Sequence, residues 1–569
     1  MAGETLDVAA IIDNKRKREK EENRAALLPV IETVIFCGEN ELPLRGDSDS
    51  GPLSLEKPLN KDGKFRALIR HRASHDVNLF NHVLNCPTNA SYLSPDIQNE
   101  VIEICGQLVQ QHVLLKLNQA ECFSIIADET LDISGQEQLS VCFRYVTNEE
   151  HATLREDFIS FFPITDLSAD NIADKILNIC NDLGVDLENK LIGQGYNGAS
   201  TMSGIHKGVQ ARIQEKYPKA MYTHCSSHHL NLVLSDTLSV PIINNGLGVL
   251  KEVTQFFRHN AQAGNHLKQN IKQFCPESKK SRLLKLCETR FIERQDSLNS
   301  FVELIPAILP TLNELAESNR SFSTTASTLL SSMEKGSFIV SVLVCEYIFN
   351  LTLPLSAYLQ DPQRDLTAAV RFCDDIVSRL KFIRAGSENE TEFRKIFENA
   401  ENMAEFILGI KIEVPRQSKI QTRRDNPPHS SPEEYFRRTV FVPAIDNLIA
   451  NLQNRFDKNR EFLCAIETIL PQNCLPENTL LLDKLKLYYE DKVSESTLKS
   501  EYVLWCQKWN SIDKADRPTK LINILDSCNK SFYPTIRHLL CVLAVLPVST
   551  CEAERSFFHN EESKNIFEK

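Results

Sequence analysis

Between Cys122 and Asn231 the chain changes its period, and that change limits the fold more than any other feature of the sequence. Phe123–Ala127 (FSIIA) is an apolar run too short for a helix and rich in Ile and Phe, as a buried strand is. Gln138–Val146 (QLSVCFRYV) alternates as a second strand and Thr153–Pro163 (TLREDFISFFP) as a third, with links short enough for antiparallel neighbours. The spacing then predicts a helix over Ala169–Leu183, capped by Ser168 and stopped by Gly184. Lys190–Gly193 reads as a fourth, short strand and Met221–Cys225 as a fifth, with helices at Gly208–Lys216 and His228–Leu238. The order is β-β-β-α-β-α-β-α.

Around this α/β core the pattern is helical. Residues 1–26 form a charged N-terminal segment, 27–118 a helical lead-in, and 119–240 the first part of the core. Within the lead-in, amphipathic faces run over Arg24–Gly38, 64–86 and Pro95–Leu117, with Glu41–Gly51 (ELPLRGDSDSG) as a loop. A large all-α insertion is expected over 241–530, for example at Ile243–Phe257, Phe338–Tyr358 and Val442–Phe456. It is interrupted by a basic loop, 414–434, where Arg416, Lys419, Arg423 and Arg424 stand beside Pro427-Pro428. Such a loop can touch phosphates, although an ordinary solvated linker has the same composition. A helix at Thr535–Leu546 opens a C-terminal segment over 531–558, and 559–569 is a polar tail.

Charge restricts the partners. Sixty-four basic against 76 acidic residues leave a net charge of −12, which argues against indiscriminate coating of nucleic acid. Lys15-Arg16-Lys17-Arg18 reads equally as a nuclear localisation signal or as a solvated helix face. The 17 cysteines have no repeating spacing and no CxxC pair, and the start lacks the apolar stretch of a signal peptide. Reduced thiols in an intracellular protein are expected. No run of about 20 apolar residues suggests a membrane span.

Asp128 follows the first strand, where open α/β sheets collect ligands and metals; read locally, it starts a turn. Gly193-x-Gly195-x-x-Gly198 formally matches a dinucleotide fingerprint. The next strand, however, ends on Cys225-Ser226 without the acid that such a site needs, and the glycines are expected to let the backbone turn tightly beside the sheet. Cys225-x-x-His228 is half a zinc site and reads as structural.

Five ordered blocks together resemble an hAT-superfamily transposase: FSIIADETLDISGQEQLSVCFRYV, GQGYNGASTMSG, THCSSHHLNLVL, CETRFIERQDS and LPVSTCEAERSFF. They are most similar to the host-gene branch with zinc finger MYM-type proteins. The resemblance implies an RNase H-like core split by a helical domain and a DDE triad that binds two divalent metals, Mg²⁺ or Mn²⁺, in an active enzyme. It also implies a C-terminal dimerisation segment, DNA and nuclear proteins as partners, and the nucleus as location. The triad falls on Asp128, Asn197 and Glu554. Asn197 departs from the family's Asp, which leaves Asp128 and Glu554 as the only metal carboxylates; a neutral amide is a poor ligand for a two-metal pair. The family's Arg-Trp pair is Arg290-Phe291, and Cys225 and His228 match its C-x-x-H block. Against the family's pattern, an N-terminal finger is not read in this sequence, and a shortened C-terminal block is expected. The expected protein is a domesticated, catalytically impaired transposase; the alternative is an active nuclease with Asn as an unusual ligand.

Overall fold

The computed structural model describes residues 8–87, 90–132, 134–148, 150–285, 291–318, 321–361, 364–385, 387–405, 409–415, 429–456, 459–491, 493–553 and 555–556. Its organising element is a five-stranded sheet of β1 (Phe123–Leu131), β2 (Glu137–Asn148), β3 (Ala152–Pro163), β4 (Leu191–Tyr196) and β5 (Met221–His224). The spatial order is β3-β2-β1-β4-β5. The first three strands pair antiparallel, and β4 and β5 add in parallel. The expected strands all occur, each within a few residues of its expected bounds.

β1 runs further than its apolar stretch. It stays paired with β2 as far as Leu131↔Glu137, while its pairing with β4 stops at Ile126↔Gly195. Asp128 therefore sits inside the strand rather than at its end. The hairpin continues past the point where β4 leaves, and Asp132 closes it by accepting the Ser134 and Gln136 N–H groups.

Each face of the sheet has its own cover. Phe123, Ile125 and Ala127 point to a core shared with the helices Ala169–Asp182 and Val209–Lys216. Gly184, with φ +67°, ends the first of these as expected. On the other face, Val146, Leu154 and Ile192 join one continuous core with the helical region and with the helix Pro534–Val545. That last helix is buried along nearly its whole length. Its apolar surface is spent inside the chain, in the segment expected to serve dimerisation.

The lead-in has a small core of its own, built by Val30, Val34, Phe65, Ile69 and Leu79. The single helix expected over 64–86 is two, Lys64–Ala73 and Val77–Asn85. Asp76 makes the break by accepting the Asn78 and Leu79 N–H groups. The first helix spans Val8–Glu39, well before Arg24. Its turns from Asp13 to Arg24 carry no apolar residue and are supported by Lys15–Glu19 and Arg18–Glu22 pairs. The Lys15–Arg18 cluster is thus helical and exposed.

One helix, Gly336–Leu359, is long and apolar enough to cross a membrane by length and composition, with a mean hydropathy of 1.9. This corrects the reading that no such run exists. Two thirds of its most apolar window (67%) is buried inside the protein, as in the central helix of a bundle. The cysteines among the described residues are all free thiols.

Candidate active site

β1 carries Asp128 onto the face that also holds Ile126, with Ser140 directly across on β2. The carboxylate is nearly buried, at 8% exposure. Its Oδ1 accepts the Glu129 N–H at 3.1 Å and the Asn197 side-chain N–H at 2.8 Å. Asn197 is the first residue after β4, and the parallel β1–β4 pairing brings it there. Its own Oδ1 accepts the Ala199 N–H at 3.0 Å. That second bond fixes which way the amide faces, with the amino group towards Asp128.

A carboxylate at 197 would set two anionic groups against each other and call for a cation between them. The amide supplies a donor in place of the cation. The described residues at the site thus offer one carboxylate with a hydrogen-bond donor set against it, a poor fit to a divalent pair. Among the described residues no group of three or more His, Cys, Asp or Glu side chains could hold a metal ion. Glu554 lies outside the described residues.

The residues flanking Glu554 do reach this face. After the helix Pro534–Val545, the chain crosses β4 as a strap. Leu546 lies over Gly193 and Pro547 over Gly195; a Cβ built on Gly195 would be 2.8 Å from the Pro547 Cβ. The Ser226 N–H then donates to the Val548 carbonyl at 3.0 Å. Beyond, Ala553 packs with Ile126 and Cys142, and the Ser556 hydroxyl lies 3.0 Å from that of Ser140. The glycines of the GxGxxG stretch therefore serve close approach rather than tight turning, and none of the three has a positive φ. Gly198 gives way to rings instead: its Cβ would lie 2.6 Å from His224 Nε2 and 2.9 Å from His228 Cδ2.

Cys225 and His228 hold this arrangement in place. The buried Cys225 sulfur accepts the His228 N–H at 3.4 Å, capping the helix Ser226–Thr237, and the Thr550 N–H at 3.3 Å from the strap. The His228 ring stacks on His224, which stacks in turn on His229 with centroids 3.4 Å apart. Of the other expected site residues, Arg290, Arg416, Lys419, Arg423 and Arg424 fall outside the described residues. Phe291 begins the helix Phe291–Glu317, but its side chain is not among those described.

Sequence reasoning missed Arg144. It is fully buried on the Asp128 side of β2, and each end of its guanidinium is used. Nε donates to the Ala544 carbonyl at 2.9 Å, Nη1 to Glu156 Oε1 at 2.5 Å and Nη2 to the Arg364 carbonyl at 2.7 Å. One side chain thus joins two strands, the C-terminal helix and the helical region. Burial pushes the Glu156 carboxyl above its ordinary pKa, and the Arg144 charge pulls it back. The signal was present in QLSVCFRYV, whose second face carries Ser140, Cys142 and Arg144 where the first carries Leu139, Val141, Phe143 and Tyr145.

Residues 2–208 match the family model DUF4371, described as the ZMYM1/FAM200 RNase-like domain. The chain is 28% identical over 552 residues to the human (Homo sapiens) 52 kDa repressor of the inhibitor of the protein kinase, covering 94% of this chain and 71% of the repressor. The mouse (Mus musculus) protein of the same name gives 28% over 553 residues, with the same coverage. Over 94% of its length the chain is thus similar to the 52 kDa repressor of the inhibitor of the protein kinase, and over residues 2–208 to the ZMYM1/FAM200 RNase-like domain.

Proposed function

We propose that the chain is a domesticated transposase-like protein that no longer cuts or joins DNA and acts through nuclear protein or DNA contacts. In this reading the sheet is an RNase H-like core, split by the helical region and completed by the C-terminal strap. The observation that carries it is the Asn197 amide donating to Asp128 at 2.8 Å, where catalysis would need negative charge and a cation. The names of the relatives, repressors in human and mouse, favour a regulatory role. A homodimer through residues 531–558 belongs to the same reading, and sedimentation of the full chain tests it.

The test of lost catalysis is calorimetric titration of Mn²⁺ into the full chain and into Asn197→Asp, followed by a strand-cleavage assay on hairpin DNA. Metal binding by the variant alone, with no cleavage by the native chain, is expected. Tight binding of two ions and cleavage by the native chain would instead establish an active nuclease with an amide ligand.

A further inference from the structure

A cavity of about 650 Å³ lies in the helical region and shares no lining residue with the Asp128 site. It forms where the helices Pro241–His259 and Gly336–Leu359 begin and where the segment Arg437–Phe441 passes them. Its volume is in the range of small-molecule pockets, roughly 300–1,000 Å³.

The lining sorts by chemistry. Val240, Ile242, Val249, Phe338 and Pro443 supply an apolar floor. The charged residues are Lys335 and Arg438, both cationic, and no Asp or Glu is among the described residues that line the cavity. Arg438 is paired with Glu434 at 2.5 Å. Lys335 makes no ion pair among the described residues, and the side chains of Asn245, Ser337 and Asn447 have no hydrogen-bond partner there either. Four polar side chains of one cavity, Lys335 and Asn245 exposed and Ser337 and Asn447 half-buried, thus have no partner among the described residues.

The wall is also distorted. Arg438 and Thr439 reach the cavity from a π-helical turn set between the helices Pro432–Phe436 and Val442–Phe456. Turns of this kind are rare and gather at functional sites. Neither long helix that starts at the cavity has a side chain capping its first turn, which adds positive potential at the same end.

From this cavity, its uncommitted polar groups and its one-signed charge, we infer a binding site for a small organic anion that carries an apolar ring. The anionic group meets Lys335, the ring lies against Phe338 and Val249, and Asn245 and Asn447 hydrogen-bond its polar edge. The site shares no lining residue with the Asp128 region.

The probe is anilinonaphthalene sulfonate, an aromatic anion whose fluorescence rises in apolar surroundings. It is titrated into the full chain beside phenylnaphthylamine, which keeps the rings and lacks the charge. Saturable one-to-one binding of the sulfonate is expected. It should be roughly tenfold weaker in Lys335→Glu, as befits loss of a charge-assisted contact. It should vanish in Asn245→Trp, where an indole fills the cavity from an exposed position. Unfolding temperatures report whether the variants remain folded. If Lys335→Glu unfolds early, Ser337→Glu brings the same charge to the cavity and takes its place. Unchanged sulfonate affinity in the charge variant, or equal affinity for the uncharged amine, overturns the site.

Discussion

The Asn197 amide donates to the Asp128 carboxylate at 2.8 Å while its oxygen is held by the Ala199 N–H at 3.0 Å. Two residues 69 positions apart thus form a satisfied pair at the point where β4 leaves β1. Asn197→Asp removes the donor and sets two carboxylates face to face. Metal-free, the variant should lose about 1–3 kcal/mol, as when a buried polar group loses its partner. Mn²⁺ should restore the loss in the variant and leave the native chain unchanged. Thermal unfolding with and without chelator reads both effects, and a variant indifferent to Mn²⁺ would count against the arrangement.

The strap depends on the bareness of Gly195. Gly195→Ala places a methyl group 2.8 Å from the Pro547 Cβ, and either β4 or the strap must move. A cost of about 1–3 kcal/mol is expected for such overpacking, read by urea denaturation. Limited proteolysis should also cut the variant earlier than the native chain between 546 and 553. A native-like digestion pattern would show that the strap is held elsewhere.

Arg144 and Glu156 should behave as a buried ion pair. Arg144→Met strands the Glu156 carboxylate and two carbonyl groups, at a cost of about 3–5 kcal/mol. The double variant with Glu156→Leu should recover much of that loss. Denaturation of the two single variants and the double variant gives the coupling directly. Additive losses would contradict the pairing.

Glu121, two residues before β1, should make the fold acid-sensitive. His538 and, at 2.7 Å, Lys530 hold its carboxyl down at about 2. A folded pKa below the unfolded value, about 4.3, stabilises the protein above the unfolded pKa, and this is lost as pH falls through the folded one. Because the Lys530 partner is largely exposed and screened by solvent, the pair is worth on the order of 1–2 kcal/mol at neutral pH. Stability measured between pH 5 and about 2 should fall more steeply in the native chain than in Glu121→Gln. Parallel curves would remove Glu121 from the account.

Local pattern carried most of the architecture. Alternation in QLSVCFRYV and TLREDFISFFP gave the strands, and Ser168 and Gly184 gave a helix its ends. Failures came where local pattern was overruled or overlooked. The turns from Asp13 to Arg24 within Val8–Glu39 rely on charge pairs rather than an apolar stripe. Asp76 splits two helices by capping, a signal hidden inside a continuous apolar rhythm. Nothing local reveals that Asn197 meets Asp128, because parallel pairing makes that contact. The glycines of GQGYNG were legible as necessary but not as to purpose, since Pro547 presses on Gly195 from some 350 residues away in the chain.

That distance has a cost in time. The Arg144 bond to Ala544 spans 400 residues, and synthesis proceeds at roughly 5–20 residues per second. On the ribosome, β1 and β2 therefore wait on the order of tens of seconds before the segment that covers Ile126 and Cys142 exists. During that interval Ile126 and Cys142 stay uncovered, as the kind of apolar surface chaperones bind, until the stretch that carries Ala553 has been made.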